Sequence, residues 1–460
     1  MKTPIGVYRV LSILSLLYSF PQPARADYAA GLRAFEQGEY ETALSEWLPL
    51  AKAGDAEAQA GIGFMYQTGK GVSKDSAEAA RWYLLAAERG NVEAQGKLGL
   101  LYEQGEGVPR NTGEALKWLR LAATQGDHAI QAILGTKYQA GNGVAQDYGE
   151  AAKWYALAAD GGNASAAASL GAMYAFGDGV PRDDKEALKW TRLAAEQGST
   201  WAQCNLGTMY KTGRGVPRNN DEAAKWFRIA AEHGDAKAQI SLAWAYMNGD
   251  GLEKDPKEAL KWFRQAAERG DPLGQFNLGG LYLPGYRGID SPVPEDPAEA
   301  VRWFRKSAEQ GYALAQQFLG GFYETGQGIP QDFKEAAKWF RMAAEQGDAV
   351  AQRRLGLMYF AGRGFPADYR EASKWLRLAA DGDDPQAQVT LGLMYSRGQG
   401  VPQDYVRAHM WSNLAAASGD TDGAKLRDII AAKMTPDQIA EAQGLASGWK
   451  PRPGGDSPDK

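Results

Sequence analysis

The 460-residue chain carries a formal charge of −5, with 23% charged and 44% hydrophobic residues. This balance favours solubility and disfavours a nucleic-acid partner, whose backbone selects clustered Lys and Arg. Cys204 is the single cysteine, so no intramolecular disulfide is possible and packing alone must hold the fold.

In chain order, residues 1–26 read as a secretory leader. Lys2 and Arg9 form a basic start, Val10 to Phe20 an apolar core, and Ala24-Arg25-Ala26 a small-x-small cleavage site before Asp27. The apolar run is shorter than the ~20 residues a membrane helix needs. Cleavage would remove Lys2, Arg9 and Arg25 and no acid, moving the charge from −5 to −8. The mature protein would then be exported, to the periplasm or as a secreted protein, without a transmembrane segment, and would meet its partner in the envelope or outside the cell. Residues 27–54 read as a helical hairpin that caps the chain, with Gly38-Glu39-Tyr40 as its turn and Trp47 in its second helix.

From residue 55 to 419 the chain repeats itself. Tryptophan recurs every 36 residues at Trp82, Trp118, Trp154, Trp190, Trp226 and Trp262, then, after a longer gap, at Trp303, Trp339, Trp375 and Trp411. A fixed period in this range predicts a solenoid in which each unit buries its apolar face on its neighbours. Residues 199–234 illustrate the unit. Ala202, Leu206 and Met209, with Gln203, Gly207 and Tyr210 beside them, form the core-facing stripe of a first helix. Gly213 to Pro217 form the turn, since glycine permits positive φ and proline stops the helix. The second helix opens with an Asp or Asn followed three residues later by Glu, as in Asp183 and Glu186, a spacing resembling a capping box. Pro256 and Pro297 sit at the first helical position, and Gly234 closes the second helix. Trp226 and Tyr210 are expected to fill the space between the helices.

The pattern A-x-A-Q-x-x-L-G-x-M-Y-x-x-G-x-G-V-P-x-D-x-x-E-A-x-K-W-x-x-x-A-A-E-x-G resembles the Sel1-like repeat, a relative of the tetratricopeptide repeat, in ten full copies. The resemblance implies an all-α, right-handed α-solenoid superhelix of helical hairpins. It also implies adaptor or scaffold work on a protein partner: envelope assembly, restraint of a receptor, or contact with host proteins. Some exported relatives carry a disulfide in each repeat, a pattern that this chain lacks.

Beyond the array, residues 420–447 lose the repeat pattern and read as C-terminal capping helices, the last opened by Thr435-Pro436-Asp437-Gln438. The proline-rich and glycine-rich residues 448–460 read as a disordered tail.

Motifs for chemistry are nearly absent. His128, His233 and His409 lack metal-ligand spacing and read as polar surface residues. Gly213-Arg214-Gly215 joins two helices and lacks the third glycine of a dinucleotide loop. Ser447-Gly448-Trp449-Lys450 matches the Ser-x-x-Lys of penicillin-recognising enzymes without its companion motifs. Asp183/Asp184 and Asp383/Asp384 suit helix starts. No enzyme activity, cofactor or metal is expected.

The remaining surface is the face of each first helix that the consensus leaves free, at −2, +1, +2, +5, +8 and +9 from the recurrent Gln, placed on the concave side by analogy with tetratricopeptide arrays. Early copies are small or polar there, as at Glu57, Ala60, Gly61, Gln67, Glu93, Gly96, Lys97 and Glu103. Later copies turn apolar: Trp201, Cys204, Ile240, Trp244, Met247, Leu273, Phe276, Leu283, Leu314, Phe318, Val350, Leu357 and Phe360, with Arg353 and Arg354 beside them. An apolar stripe where solvent is expected marks a partner surface. The insertion at 283–295 brings Tyr286 and Arg287, residue types enriched at interfaces, to the same region. A protein or peptide partner is therefore expected. Exposed aromatics would also suit a cell-wall glycan, and a cell-wall or β-lactam hydrolase is a third and weaker reading.

Overall fold

The computed structural model of the chain describes residues 23–286 and 291–451. These form 24 α-helices, and no strand occurs among the described residues. The leader, apart from its last residues, and most of the predicted tail lie outside them. No helix among the described residues is long and apolar enough to cross a membrane. The architecture is an α-solenoid of helical hairpins, and the chain divides into two compact units within the fifth copy. The first runs through Met209 and takes Gly213–Pro217; the second takes Tyr210–Thr212 and everything from Arg218 onward.

Most hairpins share a few contacts. The glycine of Leu-Gly in the first helix lies against the residue that follows the repeat tryptophan in the second. A Cβ on Gly63 would stand 2.9 Å from the Tyr83 ring, and one on Gly320 2.8 Å from the Phe340 ring. Where an aromatic follows the tryptophan it is the main core side chain, with Tyr83, Phe263, Phe304 and Phe340 all but fully buried; where Thr191 or Ser412 follows, Trp190 and Trp411 are themselves buried. Burying a ring of this size contributes about 1.5–3 kcal/mol. Trp226, expected to fill the core, is only half-buried, while Phe227 is 2% exposed. The capping hairpin obeys the same rule. Trp47 occupies the position of Tyr83 one period earlier, is 3% exposed, and lies over Gly31.

The recurrent Gln acts on the backbone. Its amide donates to a carbonyl in the last turn of the preceding second helix, from Gln95 to Ala87 O at 3.1 Å and from Gln316 to Ala308 O at 3.1 Å. Each of these carbonyls also accepts the N–H of the glycine that closes the helix, Gly90 to Ala87 O at 3.0 Å and Gly311 to Ala308 O at 2.9 Å, so the amide engages the second lone pair of a buried oxygen. The second glycine of Gly-x-Gly sits under the preceding hairpin. Gly107 has φ +72°, and a Cβ there would stand 2.0 Å from Ser76 O. Arginines two places after the tryptophan tie consecutive repeats, as Arg305 does in donating to the Tyr323 hydroxyl at 2.8 Å.

The expected capping box forms only in part. Asp183 accepts from the Lys185 and Glu186 N–H groups, but Glu186 accepts from Lys189 and from Trp190 Nε1 rather than reaching back. The physical reason is that the Asp183 N–H is already bonded to Tyr174 O at 3.0 Å. A complete box forms at Thr435 and Gln438, which open the helix Pro436–Gly448. Just beyond it Trp449, assigned from sequence to a disordered tail, is half-buried and packs edge-on to Trp411 at 6.2 Å.

Candidate functional site

The free face of the first helices is narrower than the sequence suggests. Ile240, Met247 and Phe276, expected at the surface, are 5%, 1% and 3% exposed. Cys204 is buried too. The +1 and +8 positions are covered because first helices of successive repeats touch each other, as Ala236–Asn248 and Pro272–Leu281 do. Ile240 and Met247 join one apolar cluster with Leu278 and Leu281. Phe276 is the hub of a ring cluster, with Phe304 and Tyr312 at 5.3 Å and Phe318 at 5.4 Å. These residues build the solenoid rather than display a stripe.

The insertion adds to that cover. It ends the helix Pro272–Leu281 early, and Tyr286 turns back so that its ring lies over Gly280 and edge-on to Phe276 at 6.4 Å. Its hydroxyl lies 3.3 Å from Asn277 Oδ1, and the Ser291 hydroxyl donates to Leu281 O. Tyr286 is half-buried in this role. Arg287 lies outside the described residues. Leu273 and Leu283 are half-buried against the same cluster, and Trp244 is half-buried edge-on to Phe263 at 5.2 Å.

Of the two adjacent arginines, Arg353 is committed to the fold. Its Nε donates to Asp384 Oδ2 at 2.9 Å and its Nη1 to Gln386 Oε1 at 2.6 Å, which fastens the next first helix at its N-cap. Arg354 stands at the surface, 3.0 Å from Glu324. Glu324 also pairs with Arg363 at 3.6 Å. Arg354, Arg363, Glu324, Leu357 and Phe360 line a small cavity of about 190 Å³ in the second unit. Toward the N-terminal ends of the same two helices, Leu314 and Val350 are 39% and 37% exposed and Phe318 is half-buried. Sequence reasoning missed Glu324 and Arg363, one at the end of a first helix and one inside the next Gly-x-Gly turn. Nothing within a single repeat links those two positions.

In the first unit the same face carries more polar, internally bonded side chains, with Phe176, 73% exposed, as an apolar exception that the sequence reading did not single out. The Tyr83 hydroxyl donates to Gln67 Oε1 at 2.9 Å, and burial raises its pKa. Lys137, itself buried, pairs with Glu103. Trp201, 50% exposed, is the large apolar exception among the predicted residues there. His128 and His233 are exposed, as expected from sequence, but His409 is not. It is 3% exposed in the helix Tyr405–Ala417, and desolvation, helped by Arg427 and opposed by Asp428, lowers its pKa.

The repeats match the Sel1 repeat family in ten consecutive blocks between residues 56 and 420, with the block at 272–312 spanning the insertion. Among solved structures, the chain is similar to a protective antigen of uropathogenic Escherichia coli strains that displays an SLR fold. That likeness has 36% identity over 94% of this chain and 92% of the other, with a TM-score of 0.76. A Sel1 repeat protein from Oxalobacter formigenes is 33% identical over 77% of this chain and 97% of its own, with a TM-score of 0.57. No curated protein matches the sequence. Repeats of this tetratricopeptide-like kind generally serve protein–protein interaction and are typically scaffolds rather than enzymes. With ten matched blocks and the hairpin geometry they encode, this chain belongs to the Sel1 repeat family.

Proposed function

We propose that this chain is a non-catalytic adaptor of the bacterial cell envelope that binds an extended or helical segment of a protein partner on the free face of first helices in its second unit. The observation that carries the reading is the surface at Leu314 and Val350, 39% and 37% exposed, with Phe318, Leu357 and Phe360 half-buried further along the same two helices. Leu314 and Val350 join none of the core clusters that take up Phe318, Leu357 and Phe360, so packing does not require apolar side chains at those two positions, and exposed apolar surface marks interaction sites. The family's general role supports a protein as the partner, and the leader-like residues 1–26 support the envelope as the place.

The test is a pull-down from envelope extract with residues 27–460, beside a Leu314→Ser/Val350→Ser variant whose thermal unfolding matches the parent. Because both side chains are exposed, the variant should lose under about 0.5 kcal/mol per site. A protein identified with the parent and lost with the variant supports the reading, while equal capture by both removes the site from this face. Fractionation with N-terminal sequencing should find the mature chain in the periplasm starting at Asp27; an intact leader on a cytoplasmic protein would refute the location.

A further inference from the structure

The cavity beside Arg354 has a chemistry that the rest of the free face lacks. Glu324, at the end of the helix Ala313–Thr325, keeps only 10% of its side chain exposed and holds two guanidinium groups, Arg354 at 3.0 Å and Arg363 at 3.6 Å. The arginine side chains remain 45% and 57% exposed. Two cations on one anion leave a net positive charge at this spot in a chain whose total is −5. Each guanidinium has five N–H donors in a planar fork suited to a carboxylate, and one carboxylate cannot occupy ten. The other walls of the same cavity are apolar: Leu357, Phe360 and the buried Met358.

Size narrows the occupant. About 190 Å³ falls below the ~300–1,000 Å³ of sites for small-molecule ligands, so the space suits one side chain rather than a metabolite. The occupant must present a carboxylate and an apolar side chain to one small space. An internal Asp or Glu beside an apolar residue does this poorly: successive side chains of an extended segment point to opposite faces, and the same-face pairs of a helical segment stand about 5–6 Å apart at Cβ, too wide for a space that suits one side chain. A chain terminus does it with one residue, since the α-carboxylate and the side chain leave the same Cα.

We propose that this cavity is a subsite for the C-terminal residue of the partner, taking a free α-carboxylate on Arg354 and Arg363 and a Leu, Ile, Met or Phe side chain against Leu357 and Phe360. The assignment rests on the reading of this face as a peptide-binding surface. Glu324 positions the two guanidiniums and carries no contact to the ligand.

The probe is a fluorescein-labelled decapeptide library with a randomised C-terminal residue, made once with a free carboxylate and once as the amide, titrated by anisotropy onto residues 27–460. The expected result is selection of Leu, Ile, Met or Phe at the last position, with affinity falling about tenfold or more on amidation, as for the loss of a charge-assisted hydrogen bond. Arg354→Ala/Arg363→Ala should remove the difference between acid and amide, and Arg354→Lys should keep part of it; matching thermal unfolding shows that the variants fold. Equal binding of acid and amide overturns the proposal, and so does a library that shows no preference at its last residue or no binding. The envelope pull-down with Leu314→Ser/Val350→Ser is scored separately, so the broader adaptor reading can survive this failure, or fail by itself.

Discussion

Two adjacent glycines in the helix Ala313–Thr325 offer a test of how the hairpins are built. A Cβ on Gly320 would lie 2.8, 2.9 and 3.0 Å from three atoms of the Phe340 ring, whereas one on Gly321 would meet nothing within 4 Å. Carbon atoms prefer separations of about 3.5–4.0 Å, so the ring would have to retreat by roughly half an ångström or more. Phe340 is 1% exposed and walled in, so it has little room to do so. Overpacking of this kind costs about 1–3 kcal/mol, and replacing a helical glycine by alanine returns about 1 kcal/mol of propensity. Gly320→Ala should therefore destabilise by about 1 kcal/mol, while Gly321→Ala, which keeps the propensity gain without the clash, should stabilise by up to about 1 kcal/mol. Urea unfolding followed by far-ultraviolet circular dichroism would place the two midpoints on opposite sides of the parent. Because repeat arrays couple neighbouring units, the sign of each shift is the safer readout than its size. Two upward shifts of equal size would show that the glycine is not there to admit the ring.

Phe276→Ala should cost about 3–5 kcal/mol, since it empties the hub of a buried ring cluster, while Trp201→Ala should cost under about 0.5 kcal/mol. Comparable losses in the same unfolding assay would mean that the two side chains have been given the wrong environments. His409 supplies a pH dependence. Its folded pKa lies below the ordinary value near 6.5, so between the two the unfolded chain binds a proton that the native chain does not. Its contribution to stability is therefore constant above about pH 6.5 and is lost as pH falls below it. His409→Gln should show a smaller drop in Tm between pH 7 and pH 5 than the parent; an unchanged drop would place the acid sensitivity on other groups.

The sequence determined the hairpins. Its 36-residue period, the glycines of the turn, the Asp and Asn N-caps and the prolines at Pro256 and Pro297 all act within a few residues of themselves, and local rules suffice to place them. Tertiary structure decided which side chains the solenoid consumes. Sequence periodicity sees one helix at a time, so it could not register that first helices of neighbouring repeats cover the +1 and +8 positions, which turned Ile240, Met247 and Phe276 into core. Nor could it register that the insertion folds Tyr286 back over Gly280, or that the Asp183 N–H is spent on Tyr174 O and leaves Glu186 to the tryptophan. The pairing of Glu324 with Arg354 and Arg363 belongs to the same class. It joins a helix end, a helix face and a turn from two repeats, and only stacking one hairpin on the next brings those three charges to one cavity.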